Sequence, residues 1–132
     1  DIDGVLKSLQ GAGGTIAGTD WKEGVQEFVA WCQNTFHVVL VLSSWQADIH
    51  AEFETVGLQV PALSWKSTKT EGLRGLCGPE KHIVWVEDGW DEDDRQKAID
   101  LGINLVETQF NESLELTKQK IEAVSVADKQ QR

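Results

Sequence analysis

The stretch HIVWVEDGWDEDDRQKAIDLGINLVET, residues 82–108, predicts a strand, a helix and a second strand in succession. Its two apolar runs, 83–86 and 103–106, predict strands, and the first of them is expected to be buried. The intervening segment, 91–102, predicts a helix whose first turn is crowded with carboxylates, where the N-terminal end of the helix dipole favours negative charge. A strand, a helix and a strand of these lengths indicate that the two strands run parallel.

The rest of the chain from residue 20 onward continues this alternation. Helical spacing of apolar residues begins at Val25. The unbroken apolar run at 36–44 is typical of a strand that is covered on both faces, and 58–63 predicts a weaker strand. Residues 46–57 and 68–78 predict helices, and Asn111 is expected to cap a final helix. Residues 7–19 contain four glycines and predict a flap loop or a small hairpin. The fold expected is α/β with a doubly wound parallel sheet, in a single domain spanning residues 1–132.

Composition narrows the classes of protein and partner. A chain of 132 residues with 40% hydrophobic and 26% charged residues is a globular domain with room for a core. A formal net charge of −10 argues against an extended nucleic-acid groove. No apolar run approaches the roughly 20 residues needed to span a membrane. The two cysteines, Cys32 and Cys77, lack metal-type partners nearby and indicate reduced thiols in a cytoplasmic protein.

Polar side chains follow each expected strand, at the edge of an open α/β sheet where ligands bind. The residues that would meet there are Asp1 and Asp3 (if a strand precedes them), Ser43 and Ser44, Trp65, Lys66 and Lys69, and Glu87 and Asp88, with acidic residues 91–94 behind them. Carboxylates, hydroxyls and an amine therefore converge on one rim. Hard oxygen ligands of this kind suit Mg²⁺ with a phosphate beside it.

Four of these segments carry a family resemblance. DIDGVL, residues 1–6, resembles the first motif of the haloacid dehalogenase-like (HAD) superfamily, and VVLVLSS, residues 38–44, is similar to the second, an apolar strand that ends in Ser or Thr. Lys69, just before a helix, is placed like the third-motif lysine. IVWVEDGWDEDD, residues 83–94, resembles the fourth motif, an apolar strand that ends in an acidic pair. The motifs occur in the family's order.

The resemblance implies a Rossmann-like three-layer sandwich and a Mg²⁺-dependent phosphohydrolase that works through an aspartyl-phosphate. Asp1 would be the nucleophile and Asp3 the general acid and base. Mg²⁺ would bind Asp1, the backbone carbonyl of Asp3, and Asp88. Ser43 would donate to a phosphoryl oxygen, and Lys69 would balance the charge of the pentacoordinate state.

Several assignments within the site stay open. Ser44 is a rival for the role of Ser43, and Lys66 for that of Lys69. Glu87 stands where many relatives carry Asp or Gly, so it is either a further metal ligand or a partner of the lysine. The chain has six tryptophans, of which Trp45, Trp65 and Trp90 either stack on an aromatic substrate or pack in the core. Residues 91–94 start a helix, or alternatively Asp91, Glu92 or Asp93 contacts the metal through water.

The spacing of the motifs leaves no room for a cap domain. Residues 7–19 accommodate only a small flap, and one helix and one strand separate Ser43 from Lys69. The resemblance therefore implies a capless member that acts on a phosphorylated small molecule or a terminal phosphate. In such a protein a bulky substrate, an oligomer or a closing loop excludes water.

Two other classes of function fit part of the pattern. A receiver-type phosphoacceptor domain also places carboxylates, a hydroxyl and a lysine around Mg²⁺, but its motif order differs. A catalytically inactive binding domain of the same fold is the other class. The resemblance also places a strand before Asp1 in the middle of the sheet, so we expect that residues precede Asp1 in the native chain.

Overall fold

The computed structural model describes residues 1–10 and 16–130 of the chain, and these form an α/β structure. The elements are, in chain order, β1 (Lys7–Gln10), β2 (Ile16–Trp21), α1 (Val25–Thr35), a 3₁₀ turn (Gln46–Asp48), α2 (Ile49–Glu54), α3 (Lys69–Arg74), β3 (Val84–Glu87), α4 (Glu92–Asp100), β4 (Asn104–Glu107) and α5 (Leu114–Gln130). No helix among the described residues is long and apolar enough to cross a membrane.

The predicted strand–helix–strand unit of residues 82–108 is present. β3 and β4 pair in parallel, from Val84 opposite Asn104 to Glu87 opposite Glu107, and α4 connects them. Asp91 caps α4, because its carboxylate accepts a hydrogen bond from the Asp94 N–H at 2.8 Å. The acidic run at 91–94 thus forms the start of a helix, which is one of the two roles predicted for it.

The other two predicted strands do not form extended ladders. Residues 36–44 and 58–63 meet at one parallel bridge between Val41 and Ala62, where the Val41 N–H donates to Pro61 O and the Leu63 N–H donates to Val41 O, both at 2.8 Å. Pro61 has no N–H to donate, which limits the ladder at this point. The run at 36–44 was expected to be covered on both faces, but Val38 is 71% exposed. A doubly wound parallel sheet is therefore not evident among the described residues; a two-stranded parallel sheet and a two-stranded antiparallel sheet are.

Residues 7–19 include a small hairpin, one of the two predicted alternatives. β1 and β2 pair antiparallel, with Lys7 opposite Trp21 and a register shift between Lys7 and Leu9. The part of the predicted flap at residues 11–15 lies outside the described residues. At the other end of the chain, α5 begins later than the predicted cap at Asn111, because the Ser113 hydroxyl accepts the Leu116 N–H at 3.2 Å instead.

The buried apolar side chains form two clusters. One cluster surrounds the fully buried Ile2, Ile49 and Phe53, and the other surrounds Trp85 and Ala98. Ile2 is 0% exposed, whereas its neighbours Asp1 and Asp3 are partly exposed. Burial of Ile2 thus anchors the acidic segment at the edge of a core.

Candidate active site

A tight turn presents the two carboxylates of the first segment. The carbonyl of Ile2 accepts hydrogen bonds from the N–H groups of Val5, Leu6 and Lys7 at 2.9–3.2 Å. The nitrogen of Asp1 donates to Val86 O at 3.2 Å, which ties the segment to β3. Asp1 therefore lies beside the carboxyl end of β3, where the sequence predicts the acidic pair 87–88.

Gly4 lets this turn approach β3 closely. Its φ of +83° lies in the left-handed region that favours glycine, and an added Cβ would lie 2.3 Å from Asp88 Oδ2. A side chain at this position would thus collide with Asp88. The glycine that follows the Asp-x-Asp pair is required by both backbone conformation and space.

Lys69 connects the first and fourth motifs. It opens α3, which Thr68 caps by accepting the Glu71 N–H. The Lys69 ammonium lies 2.7 Å from Glu87 Oε1 and 3.3 Å from Asp1 Oδ1. The rival lysine at position 66 is exposed, and the lysine that contacts the acidic residues is therefore Lys69.

Glu87 is held as the partner of this lysine. Its side chain is 5% exposed, and the indole N–H of Trp85 donates to the same Oε1 at 3.2 Å. Two donors on one oxygen fix the carboxylate and balance its buried charge. This arrangement is the lysine-pairing role, one of the two interpretations of Glu87.

Three carboxylates lie close enough to share a cation. One oxygen from each of Asp1, Glu87 and Asp88 lies within 4.8 Å of the others. Carboxylate oxygens are ligands for hard divalent cations. With the Lys69 ammonium, the three carboxylates carry a net charge of −2, which one divalent cation balances. Partial burial, and then the charge of Glu87, raise the pKa of Asp88, as expected where carboxylates crowd together.

The carboxylate of Asp3 is held by a different contact. The indole N–H of Trp45 donates to Asp3 Oδ2 at 2.9 Å. Asp3 Oδ1 is buried and has no hydrogen-bond partner among residues 1–10 and 16–130. The ligand role implied for the Asp3 backbone carbonyl and the general-acid role implied for its side chain both stay predictions.

Tryptophans also fix the end of the second motif. Ser43 is 1% exposed; its hydroxyl oxygen accepts the Trp45 N–H at 3.2 Å, and its carbonyl accepts the Trp65 indole N–H at 2.9 Å. Ser44 is exposed. Gln46, at φ +49°, accepts the Trp65 N–H through its side-chain oxygen at 3.1 Å. A strained residue next to a motif is typical of a functional site.

Trp90 and the acidic run have structural contacts. Trp90 packs edge-on against Trp85 with ring centroids 5.5 Å apart, in the second core cluster. Asp94 accepts the hydroxyl hydrogen of the buried Thr70 at 3.3 Å, and Asp93 pairs with Lys97 at 3.2 Å. These contacts give Trp90, Asp93 and Asp94 structural roles, and the water-mediated metal contact of residues 91–93 stays a prediction.

Two lysines near the first motif were not predicted. Lys7 is buried against the first core cluster, and Lys22 donates to Gly4 O at 3.3 Å. Burial lowers the pKa of Lys22, although Glu112 and Asp88 oppose that effect. The position of Lys7 directly after DIDGVL was the one sequence signal that could have placed it near the site. No motif marks Lys22.

Comparisons of the chain with protein-family models, with curated proteins and with solved structures found no match.

Proposed function

We propose that this protein is a Mg²⁺-dependent phosphohydrolase that cleaves a phosphomonoester through an aspartyl-phosphate on Asp1. The observation that carries the proposal is the meeting of three separate segments at one point. Lys69 contacts both Asp1 and Glu87, and Asp88 completes a cluster of carboxylate oxygens within 4.8 Å. These are residues of the first, third and fourth motifs, at the end of β3.

The chemistry assigned to the chain's own residues follows from their contacts. The Asp1 carboxylate attacks phosphorus, so a bond forms between its oxygen and phosphorus while the bond to the leaving oxygen breaks. Asp3 gives its proton to that leaving oxygen and afterwards takes one from the water that hydrolyses the aspartyl-phosphate. Lys69 balances the charge that develops on the phosphoryl oxygens.

The hydroxyl donor to the phosphoryl group is one of the two serines. Ser43 accepts the Trp45 N–H through its oxygen, which leaves its hydroxyl hydrogen for a phosphoryl oxygen. Ser44 is the exposed alternative. Lys66, also exposed, is a candidate contact for the substrate's outer part rather than for the reacting phosphate.

Asp1 and Asp88 are the best candidates to hold the cation, because Lys69 and Trp85 already occupy one oxygen of Glu87. Mg²⁺, when bound, would neutralise these carboxylates and orient the phosphoryl oxygens. Oxygen donors on short side chains fit the preference of this ion. Without such a charge the acidic cluster would repel a phosphate.

The proposal includes the capless, doubly wound sheet of the HAD superfamily. It is supported by the parallel pairing of β3 with β4, by the parallel bridge at Val41, and by the hydrogen bond from Asp1 to β3. The substrate we infer is a phosphorylated small molecule or a terminal phosphate. The free thiols of Cys32 and Cys77 favour a cytoplasmic location.

The proposal is tested by hydrolysis of p-nitrophenyl phosphate with MgCl₂ and with EDTA. We expect turnover only with Mg²⁺, and a loss of at least ~10³-fold in kcat for Asp1→Asn. Asp100→Asn is the matched control, because Asp100 is an exposed residue of α4 that contacts Gln96. Its kcat should equal that of the parent.

The same experiment separates the alternatives. Activity that survives Asp1→Asn would refute the nucleophile assignment. A stable phosphoryl group on Asp1 without turnover would indicate a phosphoacceptor domain, and no hydrolysis of any ester would indicate a binding domain.

A further inference from the structure

We infer that Trp45 is a positioning residue for Asp3 and that the buried ammonium of Lys7 strengthens its hold. The inference rests on the proposed function, in which Asp3 is the general acid. It assigns to Trp45 a role other than substrate stacking, and it gives Lys7 a role in catalysis. Three groups form the chain of contacts: an ammonium, an indole and a carboxylate.

The geometry places all three groups in sequence. The Lys7 ammonium lies 5.2 Å from the centre of the Trp45 ring and 4.9 Å from that of Trp21. The Trp45 indole N–H donates to Asp3 Oδ2 at 2.9 Å. Glu52 pairs with the same ammonium at 2.9 Å, which satisfies its charge.

Burial makes the interaction of Lys7 with the indole effective. The Lys7 side chain is 3% exposed, and a cation over an aromatic face interacts more strongly when water is excluded. A positive charge on the ring face draws electron density from the indole, so its N–H becomes a better donor. Hydrogen bonds in such a low-dielectric setting polarise one another.

The hold on Asp3 matters for one step of the reaction. Trp45 fixes Oδ2, and Oδ1 accepts no hydrogen bond within the described part of the chain. With Oδ2 held by the indole, Oδ1 is the oxygen left to carry the proton, and because it is buried it must become accessible when the substrate binds for the leaving oxygen to reach it. A carboxyl group that rotates freely would present this proton less often in the right direction.

The dependence on the leaving group distinguishes this role from a structural one. Nitrophenolate leaves without a proton, whereas phenolate is more basic and gains more from protonation. Trp45→Phe keeps the ring and removes the N–H. We expect it to lower kcat/KM for phenyl phosphate, which reports the steps up to departure of the leaving group, by about 10- to 100-fold, the usual effect of losing a group that orients a functional side chain. The loss in kcat/KM for p-nitrophenyl phosphate should be below about 3-fold, because its leaving group needs no proton.

Trp31→Phe is the matched control. Trp31 also has a lysine ammonium over its ring, that of Lys118 at 5.3 Å, but it packs between Phe28 and Phe36. The Trp31→Phe variant should lower kcat/KM for the two esters by the same factor, or not at all. Lys7→Met should change the two esters in the direction of Trp45→Phe, by a smaller factor.

A measurement without substrate tests the contact itself. The indole N–H resonance of Trp45, identified by its loss in Trp45→Phe, should move upfield in Asp3→Asn because the acceptor loses its charge. An unmoved resonance would overturn the inference.

The two proposals fail in different ways. If the parent chain hydrolyses neither ester, the proposed function is refuted and the positioning role falls with it. If the parent is active and Asp1→Asn is inactive, but Trp45→Phe lowers kcat/KM for both esters by the same factor, only the positioning role is overturned.

Discussion

Replacing Gly4 by alanine tests whether the first-motif turn and Asp88 are built as one unit. Gly24 provides a matched control with nearly the same backbone angle, since its φ is +80° and that of Gly4 is +83°. An added Cβ at Gly24 has no atom within 4 Å, whereas at Gly4 it meets Asp88 Oδ2 at 2.3 Å and Asp88 Cβ at 2.9 Å. The pair of variants therefore separates backbone strain from the contact with Asp88.

The expected magnitudes follow from these two terms. Alanine in the left-handed region costs about 1–2 kcal/mol of unfolding free energy, and Gly24→Ala should lose only that amount. Gly4→Ala should lose about 1–3 kcal/mol more, the usual cost of overpacking. Rotation of the Asp88 carboxyl cannot relieve the whole overlap, because the Cβ of Asp88, which no side-chain rotation moves, is also too close.

Urea denaturation of the parent and of both variants measures these losses, and a repeat with MgCl₂ measures ligand binding. Mg²⁺ should stabilise the parent and Gly24→Ala alike and should stabilise Gly4→Ala less, because Asp88 is displaced. If both variants lose the same unfolding free energy within about 0.5 kcal/mol, and Mg²⁺ stabilises them equally, the reasoning is refuted.

Two further predictions concern charged side chains. Lys69→Met should destabilise the protein by about 3 kcal/mol, because it leaves the carboxylate of Glu87 buried without its cation. In urea denaturation, the double variant Lys69→Met/Glu87→Gln should recover part of that loss. If Lys69→Met leaves the unfolding free energy unchanged, the ion pair is contradicted. Glu112 is buried, which alone would raise its pKa, but hydrogen bonds from Lys120, the Gln109 N–H and Thr117 outweigh burial and lower the pKa below its ordinary 4.5. The stability that Glu112 supplies is therefore present above about pH 4.5 and is lost as the pH falls through its folded pKa. Glu112→Gln should lower the unfolding free energy by about 1–2 kcal/mol at pH 7 and by progressively less towards pH 3. A loss of unfolding free energy that is constant with pH would contradict this prediction.

The sequence was most informative where local signals agreed. The strand–helix–strand unit at 82–108 had apolar runs, an acidic helix start and short connections, and all three are in the structure. At 36–44 the apolar run alone suggested a strand, but strand pairing depends on a distant segment. That segment contains Pro61, and the ladder shrinks to one bridge.

The candidate site was predictable to the level of residue position, not of contact. Spacing could place Asp1, Lys69 and Glu87 at one sheet edge, and their side chains do meet there. Spacing could not show that Trp45 turns towards Asp3, because a side-chain direction depends on which neighbours fill the adjacent space. Lys7 escaped notice since its burial depends on two indoles from other segments.

Tryptophans hold several polar groups of the candidate site in place where the described residues form only two-stranded sheets. Three indole N–H groups hold three different points of the site: Trp45 holds Asp3, Trp85 holds Glu87, and Trp65 holds the carbonyl of Ser43. An indole is a large, stiff side chain that donates but does not accept, so it suits a carboxylate or a carbonyl and adds no negative charge. Core packing and site formation are thus not competing roles for these residues. Packing of the ring in the core fixes the position of the indole N–H. The N–H in turn holds the carboxylate or the carbonyl that accepts its hydrogen bond.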